Sequence, residues 1–239
     1  MFASRAILSL AGSALALAAP LALVPLTHAA PPPKAKAQLE FARIYWEYNA
    51  SANDLGVHVT LDGEDWTRLR IVNPEDKTLF NVTGSGPYKQ LGMTELFFEG
   101  AEPALDEFPL QDLLDLFPEG EYDFEGRTVD GQLIEGEWAF THAIPAGPVV
   151  STEQGPGNFL RIHWTPVTTN PPGFPVEPLT ITGYQVIVDP FQVTVPADVF
   201  SITVPAEFVA TLEPGEHPFE VLAIEASANQ TLTEGTFVK

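Results

Sequence analysis

The chain of 239 residues contains no cysteine and few basic residues. The absence of cysteine excludes disulfide bonds, thiolate zinc sites and a cysteine nucleophile. The chain has only 11 Lys and Arg residues but 32 Asp and Glu residues, which gives a net charge of −21. This imbalance argues against binding to nucleic acid or to an anionic membrane surface, because both would repel the chain. Apolar residues make up 45% of the sequence, so a core held by burial alone is feasible.

The N-terminus has the pattern of a secretory signal peptide. Arg5 precedes a mostly apolar run from Ala6 to Leu26. For cleavage after Ala29, the third and the first residues before the cleavage site are both small. An uncleaved transmembrane anchor is the alternative interpretation. We expect a signal peptide over residues 1–29 and a Pro-rich tether over 30–40. The mature protein should then be secreted, periplasmic or at the cell surface, with no membrane insertion after cleavage.

From residue 41 onward, the spacing of apolar residues mostly predicts β-strands. Residues 57–61 alternate ahead of Asp62-Gly63, a dipeptide typical of a hairpin turn. In the second half, Tyr184, Val186 and Val188 are predicted to share one face of a strand. His58, between two valines, is predicted to point outward.

One segment has helical spacing instead. Between Asp106 and Phe117, apolar residues fall at 110, 113, 114 and 117. We expect a short helix with Asp106 as its N-cap, ended by Pro118.

Three sequence blocks occur in the same order in both halves of the chain. They are 43–46 and 161–164 (RIYW and RIHW), 56–62 and 183–189, and 120–125 and 215–220. The shared order indicates a tandem duplication, with two unrelated strand-rich halves as the alternative. The first pair of blocks predicts that Trp46 and Trp164 lie in the cores of their halves.

The third pair of blocks predicts a local hydrogen bond. Leu116, Pro118 and Tyr122 have the spacing of a tyrosine corner, in which the phenol bonds to upstream backbone. His217 stands at the corresponding position of the second half. We expect it to bond to backbone rather than to bind a metal.

At these blocks the second half, residues 147–239, resembles a fibronectin type III domain. The resemblance rests on Leu160–Pro166, Thr180–Val188, and Leu212–Gly215 leading to Phe219–Ile224. The first half, residues 41–146, more loosely resembles an immunoglobulin-like sandwich, and the boundary is residues 144–148. The resemblance implies an all-β fold of two tandem immunoglobulin/fibronectin III-like β-sandwich domains, with one short helix in the first. The resemblance implies a role in molecular recognition or as a spacer, and it does not identify a ligand.

The sequence contains no metalloprotease, serine-hydrolase, phosphate-loop or dinucleotide motif. We therefore expect an exported, non-catalytic binding, adhesion or spacer protein that needs no cofactor. Its partner would be a protein or a polysaccharide at the cell surface.

Two alternatives remain open. Asp62, Glu64 and Asp65 form one oxygen-rich stretch, and a second, from 99 to 125, has ten acids and no base. With Glu102 and Asp106 from the second stretch, they are candidate ligands of a calcium-dependent adhesive module. A solvated acidic face is the simpler explanation of the second stretch, and a hairpin turn is the simpler explanation of the first. Trp66, next to an acidic turn, is the candidate for a carbohydrate-binding accessory module. Trp138 alternates with Phe140 and is predicted to be core.

Overall fold

β-Strands dominate residues 36–239, the part of the chain that the computed structural model describes. The predicted signal peptide and residues 30–35 of the predicted tether lie outside the described residues. The strands are β1 Ala37–Asn49, β2 Asp54–Val72, β3 Thr78–Thr83, β4 Met93–Glu99, β5 Gly120–Thr128, β6 Leu133–Phe140, β7 Val150–Gly155, β8 Phe159–Trp164, β9 Ile181–Val188, β10 Phe191–Pro196, β11 Ser201–Val204, β12 Glu216–Glu225 and β13 Gln230–Val238. The helices are α1 Pro87–Leu91, α2 Leu110–Leu116 and α3 Ala206–Thr211. None of these three is long and apolar enough to cross a membrane.

The strands form two sheets. The larger has ten strands in the order β10-β9-β12-β13-β1-β6-β5-β2-β3, with β4 beside β2. An additional β1–β2 ladder closes β1, β6, β5 and β2 into a ring. The smaller sheet is β11-β8-β7. The all-β fold class predicted from the sequence is confirmed.

Two hydrophobic cores follow the two halves of the chain. The first contains Trp46, Trp66 and Tyr122, and the second contains Trp164 and Tyr184. Both tryptophans of the repeated RIxW block are therefore buried, as the duplication predicts. The predicted face of β9 is buried as well: Tyr184, Val186 and Val188 are each at most 2% exposed.

The two cores are joined by a shared sheet. Glu47, Tyr48 and Asn49 of β1 pair in parallel with residues 230–232 of β13. Residues 143–145, at the predicted domain boundary, are buried against this contact, and the Thr231 hydroxyl donates to the carbonyl of Pro145. We call residues 46–50, 143–147 and 229–233 the joint. The described residues, 36–239, belong to a single compact unit, and the predicted domain limits stay a prediction.

The hairpin predicted at Asp62-Gly63 is wrong, because β2 runs through this dipeptide without turning back. Strand β2 pairs with β1 up to Gly63 and with β4 up to Trp66. From Trp66 it pairs with β5, and from Arg68 also with β3. The ladder irregularity between Asp62 and Trp66 is the place where β2 changes partners. The polar, glycine-containing sequence thus permits an irregular strand rather than a hairpin.

The predicted helix is present as α2, with Leu113 and Leu114 buried. Its N-cap is Pro109, so the prediction of Asp106 as the cap is wrong. The sequence predicts one short helix in the first half, but the structure has two there, α1 and α2. Helix α1 has five residues and buries none of them, so it leaves no apolar periodicity in the sequence.

Candidate functional site

A groove opens along the seam between β1 and β6. These strands pair only through Ala37–Ile134 and Gln38–Glu135. The β1–β2 ladder is irregular between Leu39 and Phe41, and beyond this bulge β1 leaves β6. Within the described range, residues 39–46 of β1 and 136–140 of β6 have no strand partner on the sides that face the seam. The result is a groove of about 500 Å³.

The groove is lined by two aromatic rings with a guanidinium between them. The Arg43 Cζ atom lies 5.5 Å from the ring centroid of Phe41 and 5.5 Å from that of Trp138. The Phe41 side chain is 39% exposed, and Trp138 is half-buried. Three exposed carboxylates, those of Glu40, Glu135 and Glu137, complete the lining. Apolar rings beside a few polar groups are the usual composition of a binding site.

The structure overturns the assignment of Trp66 as an exposed sugar platform. Trp66 is fully buried in the first core, because residues 62–66 belong to a strand and not to a protruding turn. A ring without exposed surface cannot stack on a sugar. Trp138 packs against the first core, as predicted, but it is only half-buried and also lines the groove.

The five candidate calcium ligands do not come together. Glu64 and Asp65 line a shallow depression near Thr128, and Asp62 lies opposite Phe41 in the β1–β2 ladder. Asp106 lies in a turn. Glu64 and Asp65 therefore share one depression, and Asp62, Glu102 and Asp106 do not line it.

Glu102 alone joins a group with metal-ligand chemistry. In the described range its carboxylate, that of Glu47 and a ring nitrogen of His58 lie within 4.8 Å of one another. His58 Nε2 lies 2.8 Å from Glu102 Oε1, and Nδ1 lies 3.8 Å from Glu47 Oε2. His58 lies outside the hydrophobic core, as its place between two valines predicts, but it is only 4% exposed, so the expectation of a solvent-facing histidine is wrong. The reason is that Glu102 and Phe97 cover this face of β2.

Tyr122 and His217 make equivalent contacts in the two halves. The Tyr122 hydroxyl donates to the carbonyl oxygen of Pro118 at 3.0 Å, the contact of a tyrosine corner. His217 Nε2 lies 2.7 Å from the carbonyl oxygen of Glu213, also four residues upstream. Burial, with a smaller contribution from Glu75, raises the pKa of Tyr122, so its phenol remains a neutral donor. Both residues therefore fix a turn before a strand.

Asn229 is an important residue that sequence reasoning missed. It begins an Asn-Gln-Thr sequon, which suggests a surface acceptor, yet Asn229 and Thr231 are fully buried. Its side chain accepts the backbone N–H of Trp46 and donates to the carbonyl oxygens of Thr141 and Ala143. No local pattern reveals contacts to residues so distant along the chain.

Comparison with known proteins gives weak similarities. No family model and no curated protein matches the chain. The two-domain fibronectin type III segment of chicken tenascin is 13% identical with a TM-score of 0.28, over 84% of this chain and 99% of that one. A 1.5-MDa bacterial ice-binding adhesin is 12% identical with a TM-score of 0.28, over 86% of this chain and 65% of that one.

A third solved structure is similar over a shorter stretch. The Clostridium perfringens spore cortex lytic enzyme is 16% identical with a TM-score of 0.30, over 41% of this chain and 28% of that one. The chain thus spans less than two thirds of the adhesin structure and of the lytic enzyme. With TM-scores of 0.30 or below, these similarities carry no argument about function.

Proposed function

We propose that this chain is an exported, non-catalytic protein that binds a protein or polysaccharide at the cell surface through the β1–β6 groove. The observation that carries the proposal is the pair of strand edges left open beside the Phe41–Arg43–Trp138 stack. An open strand edge is a template for another extended chain, and natural proteins usually cover such edges. An edge kept open beside aromatic rings is a sign of binding.

The groove favours an extended peptide as its first candidate ligand. Residues 39–45 and 136–140 can offer backbone donors and acceptors to an added strand. The backbone N–H of Trp46 already donates to Asn229. Arg43 supplies a positive charge, and Glu40 and Glu137 supply negative ones, so the peptide would carry both signs. The third rim carboxylate, that of Glu135, is already paired with Lys36.

A neutral polysaccharide is the second candidate, and the exposed ring of Phe41 favours it. Sugar rings stack on aromatic faces, and carboxylates accept hydrogen bonds from their hydroxyl groups. Anionic polysaccharides are disfavoured by the net charge of −21.

The test is a binding screen of the full chain against extended-peptide and polysaccharide arrays, followed by affinity measurements on two groove variants. Arg43→Ala and Trp138→Ala should each weaken binding by about tenfold or more, the usual effect of losing an interface anchor. Arg161→Ala is the matched control, because its Cζ atom lies 5.4 Å from the Phe159 ring outside the groove. Binding that the groove variants leave unchanged, or no binding to either array, would contradict the proposal and favour a plain spacer.

A further inference from the structure

A histidine and two glutamates meet on one face of the large sheet, beside the joint. Tyr45 pairs with His58 and Glu47 pairs with Gly56 in the β1–β2 ladder. Glu47 and His58 are therefore diagonal neighbours, which brings their side chains within reach of each other. Glu102 arrives from the segment after β4, whose last residue, Glu99, pairs with His58. Three different chain segments thus contribute one side chain each.

The distances suit a single divalent ion. Zinc binds imidazole nitrogen and carboxylate oxygen at about 2.0–2.2 Å, so two ligands of one ion lie at most about 4.4 Å apart. The three ligand atoms lie within 4.8 Å of one another. Glu102 lies 2.8 Å from His58 Nε2, whereas Glu47 lies on the Nδ1 side of the ring. Binding of one ion at Nε2 therefore requires Glu102 to give up its hydrogen bond to the ring and Glu47 to turn towards Nε2.

Neighbouring groups hold the His58 and Glu47 side chains in place. The His58 ring lies between the rings of Tyr45 and Phe97, with centroids at 5.5 and 6.1 Å. Gln230 of β13 donates a hydrogen bond to Glu47 Oε2. Such outer contacts orient ligands in metal sites.

Gly56 provides the space that the third ligand needs. A Cβ atom at this position would overlap Glu102 Cγ, so the glutamate side chain lies directly over the glycine backbone. Any other residue at position 56 would push Glu102 away from His58.

The group also carries more negative charge than its own partners neutralise. The Glu47 and Glu102 carboxylates both approach one imidazole, and the remaining partner of Glu47, Gln230, is a neutral amide. A bound cation would offset the repulsion between the two carboxylates.

We propose that Glu47, His58 and Glu102 form a binding site for a divalent metal of the zinc class, beyond the binding function proposed above. The histidine decides the metal class. Imidazole suits zinc and its transition-metal neighbours, whereas calcium takes six to eight oxygen ligands. Three protein ligands leave a position for water or for a group from a partner molecule.

The first test is titration of the full, tag-free chain with Zn²⁺ by calorimetry. One ion per chain should bind, and Glu102→Gln and His58→Gln should each weaken binding by about tenfold or more. Ca²⁺ and Mg²⁺ at the same concentration should not compete. Two controls remove the same groups elsewhere: Glu121→Gln, from an all-carboxylate group on β5, and His163→Gln, from an exposed pair with Glu153. Both should bind zinc like the unmodified chain.

A second measurement separates metal binding from folding. Replacing the buried His58 risks unfolding the protein, whereas Glu102 has a side chain that is 34% exposed and should be replaced without loss of the fold. Circular dichroism of Glu102→Gln checks this point. In the unmodified chain, the ring nitrogen resonances of His58 should shift on addition of Zn²⁺. Zinc affinity that survives Glu102→Gln in a folded variant, or unshifted His58 resonances, would overturn the proposal.

Discussion

The side chain of Asn229 accepts a hydrogen bond from the backbone N–H of Trp46 at 2.9 Å, across 183 residues of sequence. The same side chain donates to the carbonyl oxygens of Thr141 and Ala143 at 2.9 and 3.3 Å. One fully buried amide thus satisfies backbone groups at the end of β1 and in the segment between the halves. It connects the first core to the strand pair of the second, and it explains why the joint is a packed structure and not a loose linker.

Replacing Asn229 with alanine should destabilise the whole unit. The change leaves one N–H and two carbonyl groups buried without a partner, at a cost of about 1–3 kcal/mol for an unsatisfied group. Chemical denaturation followed by circular dichroism measures the loss in free energy of unfolding. Asn81→Ala, at an exposed position of β3, is the control and should have little effect. Equal stabilities of the two variants would show that the joint does not depend on Asn229.

Replacing Tyr122 with phenylalanine tests the corner. The ring keeps its packing but the carbonyl of Pro118 loses its donor, so the variant should lose about 1–3 kcal/mol of stability. A thermal melt reports this as a lower Tm. Tyr88→Phe removes a hydroxyl from a side chain that is 58% exposed and should leave the Tm unchanged. An unchanged Tm for Tyr122→Phe would remove the corner as a source of stability.

Replacing Gly56 with alanine tests the space under Glu102. The added methyl group displaces Glu102 from His58 without changing any charge or ligand. Zinc affinity should fall about tenfold or more, as for the loss of a supporting contact. Gly155→Ala is the control, because a Cβ there makes ordinary contacts with Phe159. Zinc affinity that is the same in both glycine variants would exclude the role assigned to Gly56.

Glu220 should make stability depend on pH. Burial raises its pKa, and Glu234 and Asp189 raise it further. At a pH below 4.5, the ordinary pKa of a glutamate, the carboxyl is mostly neutral in both the folded and the unfolded state, so it does not change the free energy of unfolding. As the pH rises through the raised pKa, the folded state must ionise a group that its surroundings disfavour, and stability falls.

Glu220→Gln should therefore raise the Tm at about pH 7 and leave it nearly unchanged at about pH 4. Glu216→Gln, at an exposed position of the same strand, removes the same charge and is the control. A gain that is equal at both pH values would argue against an ionisation effect.

The sequence predicted those features that depend on neighbours along the chain. The alternation of Tyr184, Val186 and Val188 indicated which face of β9 is buried, and the spacing at 110–117 indicated helix α2. The spacing from Pro118 to Tyr122 likewise indicated a contact between two nearby residues. Each of these patterns reports a local geometry, either a period of two or 3.6 residues or a turn of fixed length.

The predictions that failed concern residues whose environment is set by distant segments. Trp66 was assigned to the surface because acids precede it, but β2 carries it into the core. His58 was predicted to point outward, and it does leave the hydrophobic core, but Glu102 and Phe97 cover it there. A strand pattern distinguishes the two faces of a strand but does not tell what packs on the second face.

Local sequence patterns were enough to predict an all-β chain, a buried tryptophan in each half, and a turn held by Tyr122 in one half and by His217 in the other. Local periodicity and spacing suffice for these features, because they depend on residues within a few positions of one another. Only the tertiary structure decided that Asn229 closes the joint, that the seam beside Arg43 stays open, and that Glu102 reaches His58. Those contacts join residues between 44 and 183 positions apart, and it is the pairing of strands, not any local pattern, that brings them together.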